Sequence, residues 1–253
     1  EYAHLMNNAG AIMYNSMIAP ITSFGIRGVL WYQGETNAGR AYQYRESFPL
    51  MINDWRRLWN DQLSFYFVQL SSFGRELNSN QGSSWAELRE AQTMTLSLPK
   101  TGMAVTTDIG NPKDIHPTNK QDVGHRLAIH ALKQDYGQNL VEDSPFYKKM
   151  KIEGNKVIIS LNNVENGITI KNKYGYVQGF EIAGEDKVFR YAQATIVNKE
   201  IVLTGFGIDK PIAVRYNWSD ATEEGQLFNA DGYPLAPFRT DNWPGITVNN
   251  KFE

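Results

Sequence analysis

Gly28–Gly39 reads GVLWYQGETNAG, an apolar run that stops abruptly in a small polar loop. Val29, Leu30, Trp31 and Tyr32 have the texture of a strand buried on both faces, and Gln33-Gly34-Glu35-Thr36-Asn37 that of the loop leaving its C-terminal end. In open α/β sheets ligands bind beyond the carboxyl ends of the strands, and a glycine there lets backbone amides come close to a ligand. Asn37 has two readings in such a place: an amide that donates to an oxyanion, or one that only closes a turn. Gln33 and Glu35, on either side of Gly34, are candidate substrate-binding residues.

On the N-terminal side of this stretch, Ile12, Met13, Met17 and Ile18 group about a turn apart ahead of Pro20, which predicts a short helix packed on the sheet. On the other side, Ala41, Tyr44, Phe48, Ile52, Trp55 and Trp59 recur at three- and four-residue spacing. They predict an amphipathic helix that Pro49 breaks or kinks near Phe48. Phe65 to Leu70, FYFVQL, is a second buried strand by its aromatic and β-branched content. Ser84-Trp85-Ala86-Glu87 has the form of a capping box opening a helix with Trp85, Leu88 and Ala91 inward. Met103 to Thr107 gives a third strand, and Val123, Leu127 and Ala131 mark a helix that runs to about Tyr136 and stops before Gly137.

Strand and helix thus alternate three times, which predicts an α/β fold with a parallel sheet and right-handed crossovers. A parallel sheet needs both faces covered and is usually wider than three strands, so part of this one is expected upstream of residue 1. From about Leu140 the texture changes to short alternating segments: Lys149 to Ile152, Val157 to Leu161, Ile168 to Ile170, Gly179 to Ile182, Thr195 to Val197, Ile201 to Leu203 and Ile212 to Tyr216. Turn signals such as Glu153-Gly154-Asn155 and Ala183-Gly184-Glu185 separate them, as in an all-β antiparallel sandwich. Two domains are expected, residues 1–140 and 141–253.

Composition narrows the chemistry. A net charge of -2 gives no basic field, so nucleic acid is not an expected partner. No apolar run approaches the ~20 residues that span a bilayer, so no membrane partner is expected either. The absence of cysteine removes disulfides, thiolate nucleophiles and Cys-ligated zinc together. With four histidines and no HExxH, neither a metal site nor a cofactor is expected.

The loop after the third strand, Asp108 to Thr118, reads DIGNPKDIHPT. Its His116 is placed to act as a general base, with a carboxylate holding the tautomer that leaves the other ring nitrogen open. Asp114 is the nearest candidate for that carboxylate and Asp108, at the strand tip, the second. The competing reading is a helix entry with incidental charge. His125 is expected to be solvated, His130 to border the apolar helix face, and His4 lies in the first segment. A nucleophile is missing: there is no GxSxG, Ser71 and Ser72 after the second strand are the only positional candidates, and Ser16, Ser83 and Ser84 read as helix or cap residues.

Three runs now stand in order: Trp31-Tyr32-Gln33-Gly34-Glu35-Thr36-Asn37, Trp85-Ala86-Glu87-Leu88-Arg89-Glu90-Ala91-Gln92, and Asp114-Ile115-His116-Pro117 through Asn119-Lys120. Together the chain resembles the sialate O-acetylesterases of the SGNH hydrolase superfamily, from about Tyr14 to Trp243 and including Pro237-Phe238-Arg239-Thr240-Asp241. The resemblance implies a Ser-His-Asp esterase acting on an O-acetylated carbohydrate, sialate 9-O-acetyl esters above all, with xylan or another glycan as the alternative. It makes Asn37 the oxyanion-hole Asn, His116 the base, and Gly34 the Gly of the same block. The superfamily's usual spacing, Asp three residues before the His, falls here on Lys113, so Asp114 is carried over in its place and Asp108 is kept as the alternative. The family's Gly-Gln-Ser-Asn-Met nucleophile segment and its second oxyanion Gly have no counterpart in this sequence. The chain accordingly reads as the C-terminal part of such an esterase, inactive alone, with the N-terminal part of the same protein as its partner. A secreted or periplasmic location is what the resemblance implies. The competing function is a glycan-binding or interaction module whose Tyr174, Tyr176, Tyr191, Trp218, Tyr233 and Trp243 stack on sugars, or else serve as core and hairpin aromatics.

Overall fold

A computed structural model describes residues 11–140, 143–172, 175–222 and 227–251. His4 and Tyr174 lie outside the described residues. Strands β1 (Gly28–Trp31), β2 (Ser64–Val68) and β3 (Thr101–Ala104) form a parallel sheet in that order. Every β2 side chain is buried, and successive ones point to opposite faces. Phe65 and Phe67 meet helices α1 (Ala41–Trp59) and α2 (Ser84–Met94), whose Tyr44, Phe48, Ile52, Leu88 and Ala91 close the larger core. Phe48 stacks on Tyr44 and meets Phe67 edge-on, both at 5.1 Å between centroids. Truncating a ring so placed costs ~3–5 kcal/mol. On the opposite face Tyr66 and Val68 lie under Val123 and Leu127 of α3 (Lys120–Gln134).

Four local expectations give way to tertiary context. First, β1 is covered on one face only: Val29 and Trp31 pack into the α1/α2 core, but Leu30 is 63% exposed, because α3 lies over β2 and β3. Its outer edge has no strand partner among the described residues. Second, the π-helical turn Tyr14–Ile18 and the 3-10 turn Ala19–Ile21 bury no residue, and Pro20 sits inside the second instead of ending it. Third, α1 runs unbroken through Pro49. The aromatic contacts of Tyr44 and Phe48 before it, and of Trp55 with Trp31 and Phe65 after it, hold both halves on the sheet. Fourth, α2 is capped by Ser83, whose Oγ accepts from Ala86 N–H at 2.9 Å while donating to Asp220 at 2.5 Å. Glu87 makes no capping box; it is buried, accepting the Ile246 and Thr247 N–H groups at 2.7 and 3.0 Å.

The remaining strands are β4 (Phe146–Glu153), β5 (Lys156–Asn162), β6 (Ile168–Ile170), β7 (Phe180–Ala183), β8 (Phe189–Val197), β9 (Glu200–Gly205), β10 (Ala213–Tyr216), β11 (Leu227–Asn229) and β12 (Phe238–Arg239). Seven of them form one antiparallel sheet in the order β12-β10-β7-β8-β9-β5-β4, and β6 pairs with β11 as a ribbon. Ile168 and Leu227 of the ribbon share a core with Val157, Ile159, Ile182 and Leu203 of the sheet. An α/β sheet followed by an antiparallel β region is therefore the architecture. β11 and β12, three and two residues long, carry too few positions for a readable alternation.

Buried charge joins the two regions. Arg89 of α2 is fully buried and donates to the carbonyls of Leu70, Ser71, Ser219 and Asp220 at 2.7–2.9 Å. Burial pulls its pKa down, and the nearby Asp220 charge opposes that. Arg239 of β12 holds Glu90 of α2 in two bonds of 2.7 and 3.0 Å.

Candidate active site

Because the sheet is parallel, the loops after β1, β2 and β3 leave one edge, and the residues around each strand tip decide what they present. Gly34 has φ +153°, and a Cβ there would stand 2.9 Å from Leu88 Cδ2 and 3.2 Å from Gln92 Nε2. Only glycine lets this turn pass so close to α2. Gln92 in turn clamps the tips of β1 and β2. Its Nε2 donates to Val68 O at 3.0 Å and Gln33 O at 3.4 Å, and its Oε1 accepts Leu70 N–H at 2.9 Å.

Gly34 opens a 3-10 turn, Glu35–Arg40, in which Asn37 N–H donates to Gly34 O at 2.9 Å. The Asn37 side-chain oxygen accepts from Gln33 Nε2 at 2.7 Å. Its Nδ2 makes no hydrogen bond among the described residues, so the amide's donor end is the one left for a ligand. Gln33 Oε1 accepts the Tyr44 hydroxyl at 3.1 Å, so both ends of that amide are engaged inside the protein. Glu35, half-buried, begins the same turn.

The β3 loop carries the other candidates. His116 is 87% exposed along its side chain, with Nδ1 3.7 Å from Asp114 Oδ1. That is beyond hydrogen-bond length, and Asp114 Oδ1 instead accepts His116 backbone N–H at 2.9 Å. Asp108 does not reach toward His116: Arg126 holds it in bonds of 2.6 and 2.7 Å. The strand-tip position that suggested Asp108 is thus filled by an ion pair within the fold. The β1 loop meets the start of α3, which follows the β3 loop, since Lys120 Nζ donates to Tyr32 OH at 3.3 Å and lies 4.6 Å from its ring centroid.

Neither serine after β2 is placed as a nucleophile. Ser72 is buried, donates to Thr107 O at 2.8 Å and shares a 2.6 Å bond with Thr222 Oγ1. Ser71 is buried too, its carbonyl taken by Trp85 Nε1 and Arg89. Sequence reading left out Tyr44 and Gln92, which it treated as helix face and as part of a motif. Their polar ends reach the β1 loop, and the one available signal was a hydrogen-bonding group on an otherwise apolar inward stripe. Of the six aromatics proposed for sugar stacking, Trp218 is buried and Trp243 packs on Phe189 at 5.5 Å, whereas Tyr176 and Tyr191 are exposed. Among the described residues no group of three or more His, Asp or Glu could hold a metal, and no helix is long and apolar enough to cross a membrane.

Residues 2–133 match the family described as carbohydrate esterase, sialic acid-specific acetylesterase. The chain is 29% identical to a sialate O-acetylesterase of Pongo abelii over 94% of its own length and 51% of that protein's. It is 33% identical to the sialate O-acetylesterase of Mus musculus over 60% of its length and 31% of that protein's. A crystal structure of a carbohydrate acetylesterase from Xanthomonas citri superposes with a TM-score of 0.88 at 43% identity, covering 96% of this chain and 57% of the other. The chain spans about half the length of the curated relatives it matches.

Proposed function

The chain belongs to the sialic acid-specific acetylesterase family of carbohydrate esterases, and from that premise we propose that its protein removes acetyl groups from sugar hydroxyls by serine-esterase chemistry. The nucleophilic serine comes from an N-terminal segment of the same protein. His116 takes the serine proton as the hydroxyl attacks the acetyl carbonyl, Asn37 Nδ2 donates to the tetrahedral oxyanion, and the sugar oxygen leaves with the proton from His116. Water then attacks the acetyl-enzyme with His116 again as base, releasing acetate. Asp114 steadies the imidazolium, and Gly34 sets the turn that presents Asn37. Apo catalytic contacts are commonly longer than those of the reacting complex, so the 3.7 Å between His116 and Asp114 leaves room to close.

One observation carries the reading: the Asn37 amide has its oxygen tied back to Gln33 and its nitrogen unspent, at the edge from which the His116 loop also leaves. The exposed face of β1, and its edge without a strand partner among the described residues, support the N-terminal segment, which would pair there, cover Leu30 and bring the serine to this edge. Sialate 9-O-acetyl esters are the proposed substrate, and a secreted or periplasmic location is proposed on the family resemblance. In the protein carrying its upstream segment, His116→Ala is expected to lower kcat for acetate release from 9-O-acetylated sialic acid ~10²–10⁴-fold. Near wild-type turnover would overturn the assignment, and faster turnover on acetylated xylan would move the substrate but not the chemistry.

A second reading, glycan binding by the β region, is favoured by a cavity of about 300 Å³ lined by Tyr191, Trp218, Gln178 and Asn217. Tyr191 is 75% exposed, and an aromatic side chain in such a lining suits a sugar ring. Saturable binding of sialylated oligosaccharide that Tyr191→Ala abolishes would support this role, and no binding would leave the region structural.

A further inference from the structure

An asparagine amide is useful to an oxyanion only when its nitrogen faces outward. Its two flips fill the same space with opposite hydrogen-bonding sense, so something must choose between them. Behind Asn37 that choice is made by a chain of hydrogen bonds beginning at the Tyr44 hydroxyl. The buried Trp31 indole N–H has no hydrogen-bond partner among the described residues and takes no part in it. Tyr44 gives its O–H to Gln33 Oε1 at 3.1 Å. With its oxygen engaged, Gln33 turns its amide nitrogen to Asn37 Oδ1 at 2.7 Å. Asn37 is left with its nitrogen outward.

The chain is rigid as well as directional. Tyr44 is buried and stacked on Phe48, and Trp31 lies 6.2 Å from the same ring. Gln33 is held a second time through its carbonyl by Gln92. Burial pushes the Tyr44 phenol up to about 12, with the Glu35 charge adding to the rise. It therefore keeps its proton, and its donor role, at any pH suited to histidine base catalysis.

We propose that Tyr44 and Gln33 form a one-way hydrogen-bond relay that fixes Asn37 as a donor, making both positioning residues of the oxyanion site. The relay rests on the reading of Asn37 as the oxyanion donor. Gln33→Glu tests it in the protein with its upstream segment, because a carboxylate of the same size turns the Asn37 nitrogen inward and its oxygen toward the substrate. The expected result is a ~10²-fold fall in kcat, in the range seen when an oxyanion donor is lost, with KM changed by less than about twofold. Gln33→Glu added to Asn37→Ala should lower kcat no further than Asn37→Ala alone, since both remove one interaction. Tyr44→Phe keeps the ring and removes the donor; a ~10-fold loss of kcat at constant KM is expected, and it carries the same test should Gln33→Glu fail to fold. If Asn37→Ala lowers kcat while Gln33→Glu and Tyr44→Phe do not, the relay is wrong and the Asn37 assignment stands. Losses that multiply in the double variant would likewise overturn the relay. If Asn37→Ala itself retains wild-type kcat, the oxyanion reading falls and the relay with it.

Discussion

Two histidines of this chain show how burial divides roles among identical side chains. His116 stands almost fully in solvent beside Asp114, whereas His130 is buried, stacked on Tyr66 at 5.8 Å and pressed against Gly102, where a Cβ would come within 2.6 Å of its ring. Burial holds the His130 pKa below its ordinary value, with the Asp143 charge opposing. Folded His130 is therefore neutral where the unfolded chain, titrating near ~6.5, takes up a proton. Its contribution to stability is fully present above that value and is lost as pH falls through it toward the folded pKa. His130→Phe, which keeps the stack, should flatten the decline in urea-unfolding free energy between pH 7 and 5; an unchanged slope would count against it. The loop that carries His116, the proposed base, was legible in the sequence because a strand, a short acidic loop and a helix bracket it. The polar contact of Tyr44 was not: three- and four-residue spacing placed it inward, but no periodicity tells that its hydroxyl reaches back to Gln33, eleven residues earlier.

At the level of elements, α1 keeps its course through Pro49 without the N–H that would reach Arg45 O. Propensity favours Ala over Pro in a helix interior by ~3 kcal/mol, and part of that should be recoverable. Pro49→Ala is expected to raise the unfolding free energy by ~1–3 kcal/mol, read from the urea midpoint at constant slope; destabilisation would show that the ring itself is needed in the packing. The strand-helix alternation and the inward stripes of α1, α2 and α3 were readable because tertiary packing agrees with their periods. β1 was misread because an apolar run of four looks alike at a sheet's centre and at its edge; Leu30 differs from Val29 and Trp31 only in having no helix above it. The α2 cap was misplaced by one residue because Ser83 and Ser84 are equivalent in sequence, and only the Asp220 contact to Ser83 distinguishes them.

For the whole molecule, the β region is fastened to the sheet by charged groups of α2, Arg89 and Glu87 buried and Glu90 half-buried. Arg89, Glu87 and Glu90 reach the segment after β10, the residues after Trp243, and β12 respectively. Replacing Arg89 by Leu would leave four carbonyls without their donor, at ~1–3 kcal/mol for each one that stays buried and unpaired. A loss of at least ~3 kcal/mol in unfolding free energy is expected, and a change under about 1 kcal/mol would deny Arg89 this role. The same framework keeps the β1 and β3 loops at one edge, where the proposed base and oxyanion donor would meet the serine proposed to come from an N-terminal segment. Mapping a fluorophosphonate adduct on the protein that carries that segment tests this division most directly. The expected result is one labelled serine N-terminal to Glu1, with labelling slowed ~10²-fold or more by His116→Ala. An adduct on Ser71 or Ser72, or labelling indifferent to His116, would contradict it.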